Sequence, residues 1–151
     1  MIHRAAALAA LLVLAGGSQA SAQVVTLRNL AFGTITSGTT TSVSKTSASA
    51  AQWRFTGSFP LTGSFTLTLP TTLTGPGTAI PITFAATDGQ RSTTNNPATG
   101  SSFNPNATQT VGIVLFSRSE YVWLGASLSP PLNQTPGTYS ATVVLTVAGM
   151  L

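Results

Sequence analysis

Side chains that could do acid–base or nucleophilic chemistry are scarce in this sequence. Cysteine is absent, the single histidine is His3, and the acidic residues are Asp88 and Glu120. A hydrolytic triad needs a nucleophile, a base and an orienting group, and beyond His3 the chain offers no His or Cys for these roles. A Ser–Lys pair would have to use Lys45, which lies in a polar stretch typical of an exposed edge strand. We therefore predict that the protein is not an enzyme.

The two carboxylates do not form a recognisable catalytic pair. Glycoside hydrolysis usually needs two carboxylates flanking the bond, whereas Asp88-Gly89 is typical of a turn. Glu120 lies near Arg118 in a predicted connection, where a solvated charge is expected. Zinc needs nitrogen or sulfur ligands, calcium needs several carboxylates or carbonyls, and phosphate loops need a glycine-rich pattern. We predict no catalytic residue, no metal and no cofactor.

Aromatic residues are the remaining candidates for contact with a ligand. Trp123 lies in an apolar predicted strand, and its neighbours Val122 and Leu124 point the other way and could supply the core. Phe103 is the only large apolar residue of the polar stretch 88–108, and a loop of that length is either functional or disordered. Trp123 and Phe103 are therefore the possible ligand contacts, with core packing as the alternative for Trp123.

The N-terminus has the three parts of a secretory signal peptide. Arg4 supplies a positive charge, residues 5–15 form an apolar run, and Ala20-Ser21-Ala22 is an A-x-A cleavage site. The run is about 11 residues, too short for a helix to span a bilayer of roughly 30 Å, although an N-terminal membrane anchor is the alternative. We predict cleavage after Ala22 and one mature domain over residues 23–151. The mature protein is expected in the periplasm, at the cell surface or outside the cell.

Composition restricts the partners that the mature chain could bind. Charged residues make up 5% of the chain, and the basic ones are scattered singly. Nucleic-acid binding needs clustered Lys and Arg that displace counterions from phosphates, so we predict no nucleic-acid partner. Abundant Ser and Thr give a surface with little charge repulsion, which favours self-association. No other segment approaches 18 consecutive apolar residues, so we predict no membrane span in the mature chain.

Alternation of apolar residues with Thr or Ser recurs along the mature chain and predicts strands. About seven to nine short strands separated by turn signals indicate an all-β fold, a two-layer antiparallel sandwich of immunoglobulin-like type. A closed barrel is the alternative. The predicted strands cover residues 24–28, 30–35, 42–47, 51–57, 64–69, 79–86, 109–116, 121–128 and 138–147.

Two segments carry a resemblance to a known family. They are NLAFGTI at residues 29–35 and PGTYSATVVLTV at residues 136–147, with AQWRFTG and SFTLTLP between them. In this order they resemble an uncharacterised family of exported bacterial β-sandwich domains, similar to spore coat U proteins and to the pilins of archaic chaperone–usher systems. The resemblance implies an immunoglobulin-like fold and a structural or adhesive cell-surface role, as a fibre subunit or tip. It also implies a donor-strand partner subunit and a periplasmic chaperone as partners.

Two features depart from the pilin pattern. The cysteine pair that often staples the first strands of those pilins is absent, and seven residues, 23–29, precede the LAFGTI segment. A donor strand should have roughly 10–15 residues, because a strand rises about 3.3 Å per residue and must cover a sheet edge. Either cleavage lies elsewhere, or the domain is self-complete, or it receives a strand without giving one. A self-contained module that binds an extracellular glycan or ligand is the alternative function.

Overall fold

The computed structural model describes residues 23–59, 63–112 and 114–149, so the predicted signal peptide and its cleavage after Ala22 lie outside the described residues. Within the described ranges the fold is all-β, as predicted, with twelve strands in three antiparallel sheets that form an open, sandwich-like arrangement. In the same ranges no helix is long and apolar enough to cross a membrane. The strands are β1 (Gln23–Arg28), β2 (Thr41–Val43), β3 (Ala51–Phe59), β4 (Gly63–Thr68), β5 (Thr72–Leu73), β6 (Ile80–Thr83), β7 (Gly89–Ser92), β8 (Ser101–Phe103), β9 (Gln109–Val111), β10 (Val114–Leu124), β11 (Ala126–Leu128) and β12 (Val144–Ala148), with a 3-10 turn at Pro97–Thr99.

The largest sheet has the order β1-β3-β10-β7-β8 and faces a smaller sheet, β12-β4-β9, across the main core. Trp53 and Phe55 alternate with polar residues along β3, so both rings point to the same face and are buried there. Val122 of β10 lies opposite Trp53 and shares that face. The second sheet adds Phe65 and Leu145 to the same cluster. Period-two alternation thus supplies both halves of the core.

A third sheet, β2-β11-β6-β5, carries a separate apolar cluster of Ile80, Ile82, Ala126 and Leu128. The chain enters this sheet at Gly125, which lies between β10 and β11 and donates its N–H to Asp88 O at 2.9 Å. The predicted strand over residues 121–128 is therefore divided, because the chain leaves one sheet and joins another at this glycine.

The polar stretch 88–108 is not a long loop, and the prediction of one is wrong. Strands β7 and β8 lie within it and pair with each other, which extends the five-stranded sheet by a hairpin. Lys45 secures this hairpin, since its Nζ donates to Thr87 O at 2.7 Å and also to the Ser102 hydroxyl. Few apolar residues are needed in a hairpin at the edge of the sheet, which explains why hydrophobic periodicity did not reveal it.

Other predicted strands also differ from the structure. Of residues 42–47 only the first two belong to β2, and residues 109–116 are divided between β9 and β10. Two more predicted strands, at opposite ends of the domain, are largely unpaired. Residues 30–35 are not in a strand, and of residues 138–147 only the last four belong to β12. Near the start of the latter segment, the strand pairing consists of one isolated bridge between Thr74 and Ser140. Both segments have strand-like sequences but lack a full set of strand partners, and they lie on either side of the same groove.

Candidate functional site: an open groove and a charged cavity

A groove of about 980 Å³ runs between residues 29–35 and residues 134–143. Its floor is apolar and is formed by residues of both cores, Trp53, Ile80, Ile82 and Leu128. These floor residues belong to β3, β6 and β11, so three strands from two different sheets position them. The groove therefore opens directly onto the interior of the sandwich.

The first wall, residues 30–35, has the side-chain pattern of a strand without its hydrogen bonds. Leu30 and Phe32 are half-buried and pack on the cores, while the intervening Ala31 is exposed. Among the described residues, the one backbone–backbone hydrogen bond of this wall joins Ala31 N to Ser49 O at 3.0 Å. Most main-chain donors and acceptors of the wall are thus available to another extended segment.

The second wall, residues 138–143, is held at its start and free further along. Ser140 exchanges two backbone hydrogen bonds with Thr74, both of 2.9 Å. For residues 141–143, the described part of the chain provides no backbone–backbone hydrogen bond. Val143 is half-buried against the core, whereas Ala141 and Thr142 are exposed. This wall too presents unpaired main chain beside an apolar floor.

Tyr139 fixes the position of the second wall. Its hydroxyl donates to Thr135 O at 2.8 Å and accepts from Gly77 N at 3.0 Å. A Cβ at Gly75 would lie 2.5 Å from the Tyr139 ring, so the absence of a side chain there permits the close approach. Because β12 then pairs with β4, the wall is anchored at both ends and the groove stays open between them.

Trp123 lies on the outer face of the five-stranded sheet, opposite the core, yet it is 1% exposed. Its ring stacks on Tyr121 with centroids 6.0 Å apart. The connection between β7 and β8 covers this face, because Asn95 Oδ1 accepts a 2.6 Å hydrogen bond from Gln52, the residue paired with Trp123. The indole therefore points away from the core, as its spacing suggested, but is shielded from solvent.

Phe103 is buried on the core side of β8 and is 7% exposed. Its ring meets Phe65 edge to face, with centroids 5.3 Å apart and an interplanar angle of 88°. Neither Phe103 nor Trp123 presents its ring to solvent in this conformation, and neither lines the groove. A ligand contact at either residue stays a prediction.

A second, polar cavity of about 270 Å³ contains Glu120 with Arg91 and Arg118. The sequence predicted Glu120 as a solvated charge in a connection, which is wrong, because Glu120 lies within β10 and is 7% exposed. Its Oε2 is 3.7 Å from Arg118 Nη2, and Arg91 donates from Nη1 to Thr110 O at 2.9 Å. Burial raises the pKa of Glu120, and the two guanidinium groups partly oppose this.

This convergence was missed in the sequence because Arg91 is distant along the chain. The sequence did indicate part of the cavity. Arg118 and Glu120 are two residues apart, so they share a face of any strand that includes both. The other acid, Asp88, closes a turn one step earlier than the Asp88-Gly89 dipeptide predicts, because Gly89 already belongs to β7. Asp88 donates its N–H to Ala85 O at 3.0 Å, and its Oδ2 accepts from Ala85 N at 2.8 Å. In the described ranges no group of three or more His, Cys, Asp or Glu could hold a metal ion.

Residues 19–148 match a family described as a domain of unknown function (DUF4402). The chain belongs to this family. The match includes both walls and the floor of the groove, as well as the charged cavity, so all of them are parts of the DUF4402 domain. No curated protein and no solved structure matches the chain.

Proposed function

We propose that this DUF4402 protein is an exported, non-enzymatic structural or adhesive module of the cell surface, which associates by accepting an extended segment of a second copy into its groove. The observation that supports this function is the pair of strand-like walls with unpaired main chain on either side of an apolar floor. An extended segment gains main-chain hydrogen bonds and side-chain pockets together when it adds to such an edge.

The size of the groove indicates what it can accept. Each wall is six residues long, so it matches an extended segment of about 20 Å at 3.3 Å per residue. Such a segment points about three side chains to the apolar floor. Burial of three aliphatic side chains is worth about 4–9 kcal/mol before the costs of association are subtracted.

A second copy is the occupant that the molecule itself supports best. Strand β1 has six residues, the same length as the walls, and it lies at the edge of its sheet with β3 as its one neighbour. Val24 and Leu27 of β1 are 42% and 41% exposed, which leaves apolar surface on a strand held mainly by main-chain pairing. With the predicted cleavage after Ala22, seven residues precede the first wall, which are few for a complete sheet edge but sufficient for this groove.

Two substitutions test the proposal on residues 23–151. Ala141→Trp places an indole on an exposed position of the second wall, where it should fill the groove, whereas Thr146→Trp adds the same ring to an exposed position on β12. We expect the unmodified chain and Thr146→Trp to form dimers or longer assemblies in size-exclusion chromatography and electron microscopy, and Ala141→Trp to remain monomeric.

Two results would contradict strand acceptance. One is an unmodified chain that stays monomeric at every concentration, and the other is an Ala141→Trp variant that assembles as well as Thr146→Trp. Because the chain has no cysteine, a disulfide cross-link between one copy with Ala141→Cys and another with Val24→Cys would report direct contact between the groove and β1.

A further inference from the structure

Three charged side chains converge on one cavity in a chain that has very few charges. Arg91, Arg118 and Glu120 line the second cavity, although charged residues are 5% of the sequence. They come from β7 and β10, which are neighbours in the five-stranded sheet, with Val122 pairing with Arg91 beside them. The remaining polar lining is made of hydroxyl side chains, including Thr99 and Ser101.

The carboxylate of Glu120 lines the cavity and is ion-paired with Arg118, and no described residue donates a hydrogen bond to it. Its Oε2 lies 3.7 Å from Arg118 Nη2, which exceeds the distance of a hydrogen bond, and Arg91 supplies a second positive charge nearby. A largely buried carboxylate that receives few hydrogen bonds carries a desolvation cost, which further donors would offset. A ligand with hydroxyl groups could donate to both oxygens from within the cavity.

The guanidinium of Arg118 supplies a positive charge and hydrogen-bond donors in the same cavity as the Glu120 carboxylate. Its side chain is 52% exposed, and five N–H donors in a planar fork suit a carboxylate bound through two parallel hydrogen bonds. Arg91 is held in place by Thr110 O and adds a second positive charge. With two cations and one carboxylate, the cavity favours a ligand that is acidic and also rich in hydroxyl groups.

We infer that this cavity binds one acidic sugar residue, a hexuronate, of an extracellular polysaccharide. Arg118 binds the sugar carboxylate, and Glu120 accepts hydrogen bonds from ring hydroxyl groups. The volume of about 270 Å³ lies below the range of about 300–1,000 Å³ that holds drug-sized ligands, which limits the occupant to a single ring. This site is independent of strand acceptance, because the cavity and the groove share no lining residue.

Titration of residues 23–151 with glucuronate and with glucose, followed by NMR or calorimetry, tests the inference. We expect saturable binding of glucuronate with a dissociation constant near 1 mM or below, and at least about tenfold weaker binding of glucose. Arg118→Gln and Glu120→Gln should each weaken glucuronate binding by about tenfold or more. Arg28→Gln, at the end of β1 and outside the cavity, is the matched control and should change nothing.

Three outcomes would overturn the hexuronate site. They are no saturable binding of glucuronate up to about 10 mM, equal affinity for glucose, and a loss in Arg28→Gln as large as that in Arg118→Gln. Circular dichroism of each variant separates lost binding from lost folding, and the exposed position of Arg118 makes its variant the least disruptive. Ala141→Trp should bind glucuronate normally, so failure of this site is distinguishable from failure of strand acceptance.

Discussion

The folded structure changes the pKa of Glu120. Burial raises its pKa above the ordinary value of 4.5, against the opposing charges of Arg91 and Arg118. The folded state therefore binds this proton more tightly than the unfolded state does. Its contribution to stability is fully present below pH 4.5 and is lost as the pH rises through the folded-state pKa.

Glu120→Gln should therefore change how stability depends on pH. Relative to the variant, the unmodified protein should lose free energy of unfolding as the pH rises from about 4 to 7, since only the carboxyl group must ionise in a buried place. Urea denaturation at several pH values measures this difference. Parallel profiles for the two proteins would contradict the assignment.

Phe65 connects the two facing sheets through aromatic contacts. It is 1% exposed and lies 5.8 Å from Phe55 and 5.3 Å from Phe103, measured between ring centroids. Phe65→Ala should lower the free energy of unfolding by about 3–5 kcal/mol, because it removes buried surface and leaves a cavity. Leu132→Ala, at an apolar residue 81% exposed, should change it by less than about 0.5 kcal/mol. Chemical denaturation of both variants provides the comparison, and similar losses would show that Phe65 is not a core residue.

At the scale of elements, the transfer of the chain from β10 to β11 depends on a close backbone approach. A Cβ at Gly125 would lie 2.4 Å from Val43 O and 2.7 Å from Lys45 N. Both atoms belong to backbone, so the contact cannot be relieved by a rotamer change. Glycine at this position allows β2 to pair with β11 directly after the crossing.

Gly125→Ala should destabilise the fold by about 1–3 kcal/mol, because the added methyl group forces β2 and β11 apart. Gly112→Ala is the matched control, since a Cβ there meets nothing within 4 Å, and it should be neutral or slightly stabilising. Thermal unfolding followed by circular dichroism measures both. Equal melting temperatures for the two variants would show that the sheets adjust without cost.

The hairpin of β7 and β8 shows how polar contacts can organise an element that lacks apolar periodicity. Lys45 bonds to Ser102, and Ser102 Oγ donates to Gln90 Oε1 at 3.1 Å. Gln90 in turn donates to Pro97 O at 2.8 Å, which ties the tip of the connection to its base. This chain of contacts orders a stretch that looks like an unstructured loop in the sequence.

At the scale of the whole molecule, the residues that the structure describes form two apolar clusters with an open groove above them. Local stability should differ accordingly, because amides paired within β3 and β10 are central to the five-stranded sheet, whereas residues 31–35 and 141–143 lack a full set of partners. Amide exchange reports such differences directly.

Hydrogen exchange should therefore separate the walls from the core. In the monomeric Ala141→Trp variant, we expect fast exchange at residues 32–35, whose amides lack backbone partners among the described residues, and slow exchange through β3. In the assembled protein, amides of residues 32–35 should become protected, because they pair with the accepted segment. Equal exchange at this wall in both states would place the contact between copies elsewhere.

The sequence by itself determined the class of the fold and much of its core. Alternating Thr and apolar residues predicted strands, and Trp53 and Phe55 were correctly placed on one face of β3, because the period-two geometry of a strand is local. The expectation of a signal peptide rests equally on local features. The expectation that the chain has no catalytic pair follows from composition alone and stays a prediction.

The tertiary structure alone decided which strand-like segments find partners. Residues 30–35 and 138–143 have good strand sequences, but pairing requires a neighbour at the right distance, and that neighbour is set by contacts remote along the chain. The burial of Trp123 depends in the same way on a connection that folds over its sheet. The cavity around Glu120 needed β7 beside β10. Periodicity describes the faces of one segment, whereas the groove and the cavity arise between segments.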